Sequence, residues 1–279
     1  MYEDITYETD GACAIVTLNR PDKLNALTRR MLAEIRHALC TAEADGSVTG
    51  AIITGAGRGF CAGMDMQALS NLGAEGGTAA RVDEDYGLDC DPGDPNMGAD
   101  FSHALTYIMS IRKPVIAVVN GPCAGMGLSL AANCDMRFAA DEAVFMAAFS
   151  QRGLVAEHGL SWILPRIMGP DKALDILWSS RRISGTEAVT MGLATRSAPA
   201  DAVLNEAKAY IENLAATTAP KSLMRMKRQV WMQMMMSLDQ SMTQTDDLMN
   251  KSTSQDDFKE GVKAFLEKRP PQFAKIEVA

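Results

Sequence analysis

The amino-acid sequence predicts an α/β fold, and three features of the chain carry that prediction. A short apolar run rich in Val and Ile, residues 115–119, leads into the glycine-rich turn 120–127 and then into a helical pattern. A similar unit lies upstream, where the apolar run 51–54 leads into the glycine-rich stretch 55–63. Beyond Pro199 glycine becomes rare and the pattern is helical. Short buried strands that alternate with glycine turns and helices are typical of a sheet covered by helices.

The elements of the first half follow from local patterns. Residues 5–19 alternate enough to predict a two-stranded hairpin that turns near Asp10-Gly11. Thr28 is a suitable N-cap for an amphipathic helix that extends to about Ala44. Residues 101–111 are predicted to form a helix that leads into the second buried strand. The order is therefore strand, strand, helix, and then repeated strand–turn–helix units.

The second half is predicted from caps and helix stops. Strands are expected at residues 136–139 and 143–145, and an amphipathic helix follows around residues 160–167. Ser184 and Glu187 have the spacing of a capping box. Further helices are predicted over residues 171–178, 185–191, 204–216, 219–236, 237–249 and 255–267. We therefore divide the chain into a core, residues 1–199, and a C-terminal helical region, residues 200–279.

Composition and charge argue against several classes of protein. Of the 279 residues, 47% are apolar and 22% are charged, which is ordinary for a globular protein. The net charge of −8 argues against nucleic-acid binding. We see no charged leader and no apolar run of about 18 residues, so we expect a cytoplasmic protein that does not span a membrane. The six cysteines form no C-x-x-C pair and the three histidines lack metal-ligand spacing, so free thiols and no metal site are expected.

The two glycine-rich turns are suited to stabilise negative charge. A helix that starts at such a turn presents free backbone N–H groups and the positive end of its dipole. The second turn is not a P-loop, because no Lys follows Gly127, and Leu130 stands where a dinucleotide fingerprint needs its third glycine. One such turn alone is equally well explained by tight packing of helix on strand. Two of them can place two N–H donors around one oxygen atom, which favours an oxyanion site.

Five segments of the chain occur in an order that is specific when they are taken together. They are residues 18–27 (LNRPDKLNAL), 60–65 (FCAGMD), 120–127 (NGPCAGMG), Cys134-Asp135 and 258–270 (FKEGVKAFLEKRP). Together they resemble the crotonase superfamily, the enoyl-CoA hydratase/isomerase family. The resemblance implies a spiral of ββα turns with a C-terminal helical region for oligomerisation. The Met-rich helices beyond Pro199 agree with a homotrimer or hexamer.

The resemblance also implies a substrate and an oxyanion site. The substrate would be a fatty-acyl or related thioester of coenzyme A (CoA). Because CoA is part of that substrate, no separate cofactor is expected. The thioester oxygen would lie between the backbone N–H groups of Met64 and Met126, which would stabilise an enolate as negative charge moves onto the oxygen.

Other residues are expected to bind the substrate by the same resemblance. They are Lys23, Arg58, Ala62, Gly63, Asp65, Gly125, Phe265 and Lys268. Lys23 and Arg58 would lie near the phosphates and the adenine of CoA. Phe265 and Lys268 would reach the CoA from the last helix, often that of a neighbouring subunit. Asp65 is also a good N-cap for a helix that would follow it, and its main role is interpreted as structural.

The acid and base groups depart from those of the family's hydratases. Those enzymes use two carboxylates, and Ser129 and Phe149 stand at the corresponding positions. Glu157 remains, in the segment 153–159. That segment resembles the loop with the single catalytic Glu of peroxisomal-type Δ3,Δ2-enoyl-CoA isomerases, and also the loop with one catalytic Asp of dienoyl-CoA isomerases. One carboxylate suffices to remove a proton from C2 and return it at C4, so Glu157 favours double-bond isomerisation.

Several alternatives stay open at this point. Glu157 also fits a structural role at the N-terminus of the following helix, and His158 is expected to point away from it on an extended backbone. The chain could instead be a divergent enoyl-CoA hydratase, a CoA-thioester or C–C hydrolase, or a non-catalytic acyl-CoA-binding relative. Residues 71–100 are interpreted as a surface loop, and Glu84 or Asp85 in that loop is the next acid/base candidate.

Overall fold

The N-terminal residues form the expected hairpin and helix. In the computed structural model, which describes residues 2–65 and 86–275, strand β1 (Ile5–Asp10) pairs antiparallel with β2 (Cys13–Leu18). The first helix, α1, spans Arg29–Ala44. The Thr28 side chain accepts a hydrogen bond from the backbone N–H of Met31, as expected for an N-cap. The alternation and capping patterns were therefore sufficient to predict this unit.

The main sheet has six strands in the order β1-β2-β3-β4-β6-β9. The further members are β3 (Gly50–Gly55), β4 (Val115–Val119), β6 (Met136–Ala140) and β9 (Arg196–Ala198). All pairings after the first hairpin are parallel. Every residue of β4 is buried, which explains its unbroken apolar run. The carboxyl ends of β3 and β4 meet at the same edge of the sheet, and both glycine-rich turns start there.

A second, smaller sheet lies beside the second glycine-rich turn. It has the order β5-β7-β8 and consists of Cys123–Ala124, Val144–Met146 and Ile183–Ser184. Strand β5 is part of the turn itself, and its partner β7 is parallel to it. The backbone N–H of Gly125 donates to the carbonyl oxygen of Met146 at 3.1 Å. The small sheet therefore holds the turn through strand β5 and Gly125.

The helices of the core alternate with the strands. They are α2 (Tyr107–Ser110), α3 (Met126–Asn133), α4 (Leu160–Met168), α5 (Pro170–Ser179) and α6 (Gly185–Met191). The helix predicted over residues 101–111 is wrong in its first half, because only its last part is helical. The hydroxyl of Ser102 donates to Ala99 O and that of Thr106 donates to Asp100 O. Such bonds from side chain to backbone favour turns over a continuous helix.

The C-terminal region is helical, as predicted, and its members differ in how they pack. It consists of α7 (Val203–Thr217), α8 (Pro220–Gln233), α9 (Leu238–Thr253) and α10 (Asp256–Glu267). Helix α7 covers the main sheet and buries Val203, Ala207 and Ile211. Helix α9 buries none of its residues, and α10 buries only Ala264. The last two helices therefore leave most of their apolar side chains exposed within one chain.

Asp135 ties helix α8 to the sheet. One carboxylate oxygen accepts from the N–H of Val115 and from the Lys227 ammonium, each at 2.7 Å. The other oxygen accepts from Nε1 of Trp231 at 3.0 Å. The Lys227 side chain is only 8% exposed, so this ion pair is well shielded from solvent. The arrangement gives Asp135 a structural role and connects the C-terminal region to β4.

Membrane-spanning helices and metal-binding clusters can be examined only in the parts of the chain that the structure describes. Within residues 2–65 and 86–275, no helix is long and apolar enough to cross a lipid bilayer. In the same ranges, no cluster of His, Cys, Asp and Glu side chains is arranged to hold a metal ion. All six cysteines are free thiols.

Candidate active site

The backbone around Met64 is held by a short parallel pairing with Leu27. The N–H of Leu27 donates to Gly63 O at 2.8 Å, and the N–H of Asp65 donates to Leu27 O at 2.9 Å. In such a pairing the intervening residue directs its own N–H to the opposite side. The N–H of Met64 therefore faces away from Leu27 and is available to another acceptor.

The backbone N–H of Met126 is available for a different reason. Met126 is the first residue of helix α3, and the first N–H groups of a helix have no acceptor inside it. The hydrogen-bonded ladder begins later, where the N–H of Ser129 donates to Gly125 O at 3.2 Å. Met126 as a whole residue is buried. The positive end of the helix dipole lies at the same place.

The two glycine-rich turns are in direct contact. The N–H of Cys61 donates to Pro122 O at 3.0 Å, and the N–H of Ala124 donates to Cys61 O at 2.9 Å. A Cβ atom on Gly63 would lie 3.0 Å from the carbonyl oxygen of Ala124 and 3.6 Å from the backbone nitrogen of Met126. The backbone segments that carry Met64 and Met126 are therefore neighbours, as the sequence analysis expected.

Gly127 has a steric reason to be glycine. A Cβ atom there would lie 2.4 Å from the carbonyl oxygen of Cys61, closer than real Cβ contacts allow. The small residue lets helix α3 start directly against the first turn. Close approach of backbone to backbone is what places both turns around one small volume.

Two asparagines, whose roles the sequence analysis did not identify, hold the first turn. Asn25 is fully buried, and its Nδ2 donates to Gly59 O at 2.8 Å and to Ala56 O at 3.0 Å. Asn120 donates from Nδ2 to Gly55 O at 2.9 Å. The only signal in the sequence was an Asn within the segments that carry the family resemblance. These bonds fix the loop that precedes Met64.

Lys23 and Arg58 lie on adjacent exposed segments beside the first turn. The N–H of Ala62 donates to Leu24 O at 2.9 Å, which places the residue after Lys23 against the turn. A Cβ atom on Gly57 would lie 3.1 Å from Cβ of Pro21. Neither cation forms an ion pair with any residue that the structure describes. The structure therefore brings these two candidate CoA ligands close to the first turn.

Asp65 has a structural partner. Its carboxylate forms an ion pair with Arg20 at 3.1 Å, and another Arg20 nitrogen donates to Ala26 O at 2.7 Å. The pair connects the segment before α1 to the end of the first turn. The helix that Asp65 was expected to cap, starting near Met66, lies outside the described residues. The same holds for Glu84 and Asp85.

Phe265 and Lys268 have no hydrogen bond or ion pair to this site among the described residues. Phe265 is 83% exposed on α10, and Lys268 ends that helix. Helix α10 packs against α9. Among the hydrogen bonds and ion pairs of the described residues, none connects α10 to either glycine-rich turn. Single-chain geometry thus leaves their expected contact with CoA untested.

Glu157 lies in the loop before helix α4 and contacts His158. Its carboxylate is 3.5 Å from Nε2 of His158, and its side chain is 40% exposed. The expectation that His158 points away was wrong, because its φ of +53° is left-handed rather than extended. Burial lowers the pKa of His158 below its ordinary value, against the opposing effect of Glu157. The imidazole is therefore neutral at pH 7.

Ser129 and Phe149, which the family resemblance aligns with the two hydratase carboxylates, are both buried. Ser129 is fully buried on α3, and its hydroxyl has no hydrogen-bond partner among the described residues. Phe149 is 5% exposed and follows Ala148, whose φ is +62°. Neither side chain can accept a proton from carbon or activate water as a carboxylate does. Among the residues that the structure describes, Glu157 is therefore the candidate base.

Comparison with known proteins identifies the family to which the chain belongs. A sequence model of the family "Enoyl-CoA hydratase/isomerase" matches residues 8–89 and 92–276. A probable enoyl-CoA hydratase of Mycobacterium tuberculosis is 33% identical over 272 residues, 98% of each chain. A 1,2-epoxyphenylacetyl-CoA isomerase of Escherichia coli K12 is 30% identical over 277 residues, 98% of this chain and 99% of that protein.

The fold agrees as well. The crystal structure of an enoyl-CoA hydratase from Polaromonas sp. JS666 matches with a TM-score of 0.84 and 32% sequence identity. The match covers 96% of this chain and 99% of that one. The family's sequence pattern and its fold thus extend over almost the whole molecule, including the C-terminal helices. On these grounds the chain belongs to the enoyl-CoA hydratase/isomerase family of acyl-CoA enzymes.

Proposed function

We propose that this family member is a double-bond isomerase of enoyl-CoA thioesters, with Glu157 as its single acid/base group. The observation that carries the proposal is that one carboxylate, Glu157, is present while both hydratase carboxylates are replaced. Ser129 and Phe149 replace both hydratase carboxylates, while Glu157 stays partly exposed in the loop that precedes α4. One carboxylate suffices to move a proton from one carbon to another. The hydratases instead use two carboxylates to add water to the double bond.

The proposed reaction begins with polarisation of the thioester. The N–H groups of Met64 and Met126 donate to the thioester oxygen, and they bind it more tightly as it becomes an enolate oxygen. Donors of this kind contribute about 3–4 kcal/mol each to the stability of such an intermediate. Because both donors are backbone groups, the methionine side chains do not set the chemistry. The geometry that supports this step is the direct contact between the two turns.

Glu157 then moves the proton. Its carboxylate removes a proton from C2 of a 3-enoyl thioester, and the electrons of that C–H bond enter the dienolate. The protonated Glu157 returns the proton at C4, so the double bond ends between C2 and C3. The neighbouring His158 is neutral at pH 7 and therefore adds no positive charge beside the carboxylate. The reaction requires no cofactor besides the CoA that the substrate carries.

The names of the relatives leave a hydratase as the second candidate. The E. coli relative is named an isomerase and the mycobacterial one a probable hydratase. The two relatives have similar sequence identity to this chain, which does not decide between the two reactions. The choice therefore rests on the residues at the carboxylate positions. In a hydrolase of a thioester or C–C bond, Glu157 would have a different role. In an acyl-CoA-binding protein without catalysis, it would have no catalytic role.

The decisive experiment compares two substrates. With a 3-enoyl-CoA we expect a rise in absorbance as the double bond enters conjugation with the thioester. With crotonyl-CoA we expect little or no hydration, because no second carboxylate holds the water. A thermal melt provides the binding control: both thioesters should raise Tm by mass action, and NAD and ATP should not. Efficient hydration of crotonyl-CoA would contradict the proposal, and the absence of any Tm shift would contradict acyl-CoA binding.

We also propose a homotrimer or hexamer, because the C-terminal helices need a partner. Leu238 on α9 is 80% exposed, and Phe265 and Leu266 on α10 are 83% and 74% exposed. Large apolar side chains at this density commonly mark an interface between subunits. Light scattering at micromolar concentration should give three or six times the 30.0 kDa chain mass. A double variant, Leu238→Lys with Leu266→Lys, should lower that mass. The control Val155→Lys, at an exposed position outside the C-terminal helices, should not. A monomeric wild type would contradict the assembly.

A further inference from the structure

The amide of Asn133 connects helix α3 to the loop that carries Glu157. Its Nδ2 donates to Ser129 O at 2.8 Å and to His158 O at 3.0 Å. Both partners are carbonyl oxygens, so the nitrogen rather than the oxygen of the amide must face them. Asn133 is fully buried, and both its N–H groups are used by these two bonds. The side chain thus acts as a clamp between the helix and the residue next to Glu157.

The clamped loop has a backbone that needs support. His158 has a φ of +53° and Gly159 a φ of +85°, so two consecutive residues are left-handed. This conformation is uncommon for a residue with a β-carbon such as His158, and its cost in free energy has to be offset by the surroundings. A Cβ atom on Gly159 would lie 3.8 Å from Oδ1 of Asn133 and 3.5 Å from Cγ2 of Thr106. Asn133 supplies the polar contact to this segment from α3, and Thr106 supplies an apolar one.

Asn133 lies at the opposite end of helix α3 from the candidate oxyanion donor Met126. Helix α3 starts at Met126 and ends at Asn133. At about 1.5 Å per residue, the two lie about 10 Å apart along one rigid axis. The same helix therefore presents one candidate oxyanion donor at its start and holds the candidate base's loop at its end. A shift of the loop against α3 would change the distance from Glu157 to the bound thioester.

The remaining polar atom of Asn133 shows that burial of this amide is not free of cost. Its Oδ1 is buried and has no hydrogen-bond partner among the described residues. A leucine has the same branching and no unpaired oxygen, but it could not hold the carbonyl of His158. The amide is therefore a poor choice for packing alone and a good one for holding the loop.

We infer that Asn133 is a positioning residue, which fixes the Glu157–His158 segment against helix α3 and so sets the base relative to the oxyanion donors. This inference rests on the proposed function, in which Glu157 moves the proton. Asn133 does not touch the reacting atoms in this account. It acts through the backbone of His158 on the direction of the preceding side chain.

The first test replaces the amide without adding charge. In Asn133→Leu we expect kcat for 3-enoyl-CoA isomerisation to fall about ten- to a hundredfold, since a misplacement of about 1 Å costs rates of that order. The Kd of the thioester should stay within about twofold, because the two backbone donors remain in place. Asn133→Gln keeps the N–H donors and should recover part of the rate. Glu142→Gln, on the exposed turn between β6 and β7, serves as the control with unchanged kcat.

A double-mutant cycle separates positioning from general damage. If Asn133 acts through Glu157, then adding Asn133→Leu to Glu157→Gln should cause no further loss of rate. The same loss in both backgrounds would overturn the inference, and so would a single Asn133→Leu variant at full rate. If that variant does not fold, Asn133→Ser, which also breaks the clamp, replaces it in the cycle. A Glu157→Gln variant at full rate would instead contradict the proposed function itself.

Discussion

Replacing Glu157 with Gln is expected to lower the rate of 3-enoyl-CoA isomerisation by at least about a hundredfold. The amide keeps the size of the side chain and its hydrogen bonding, but it cannot take a proton from C2. General acid–base groups contribute about 10²–10⁴-fold to a rate, and no second carboxylate stands at Ser129 or Phe149 to replace it. Substrate binding should barely change, because the N–H groups of Met64 and Met126 do not depend on residue 157.

The measurement follows conjugated product under single-turnover conditions and the Kd of the thioester by titration. Glu142→Gln is a matched control, since Glu142 is an exposed carboxylate on the turn between β6 and β7. Its rate should equal that of the wild type. A Glu157→Gln variant at full rate would mean that the acid/base group has been assigned wrongly. Glu84 and Asp85, outside the described residues, would then be tested next.

The strands and turns could be predicted because their causes are local. The run 115–119 is apolar at every position because β4 is covered on both faces, and that pattern is visible in the sequence. The cap at Thr28 and the stop before Pro170 are likewise set by single residues. The two glycine-rich turns could be paired as well, since strands β3 and β4 end at one edge of the sheet.

The missed features depend on contacts between distant segments. The backbone of His158 is left-handed, and Asn133, 25 residues away, bonds to its carbonyl. Nothing in the segment 153–159 shows that conformation, so an extended backbone was expected. The failed helix at residues 101–106 is the exception and has a local cause, because hydroxyl groups there bond to nearby carbonyls and favour turns.

The substrate-binding residues of the last helix show a further limit. Phe265 and Lys268 were placed near CoA by family resemblance, and a single chain leaves Phe265 exposed on α10. Their role depends on where a second subunit lies, which neither propensity nor single-chain packing determines. The assembly measurement and the binding of CoA thioesters therefore have to be interpreted together.

Replacing Gly63 with Ala is expected to lower the rate by about 10²–10³-fold, the effect of losing one oxyanion donor. Gly63 has a φ of +106°, and an added Cβ would lie 3.0 Å from Ala124 O. Backbone cannot give way as a flexible side chain can, so the peptide between Gly63 and Met64 must rotate or the turns must separate. Either movement displaces the N–H of Met64 from the thioester oxygen.

The control for Gly63→Ala is Gly98→Ala, which carries the conformational cost without the clash. Gly98 has a φ of +85°, and no atom of the residues that the structure describes lies within 4 Å of a Cβ atom built there. Strained positions of this kind cost about 1–3 kcal/mol each, so both variants should melt at lower temperature. Only Gly63→Ala should lose isomerase rate and weaken inhibition by an enolate-like thioester analogue. Equal rates in the two variants would show that the N–H of Met64 does not stabilise the intermediate.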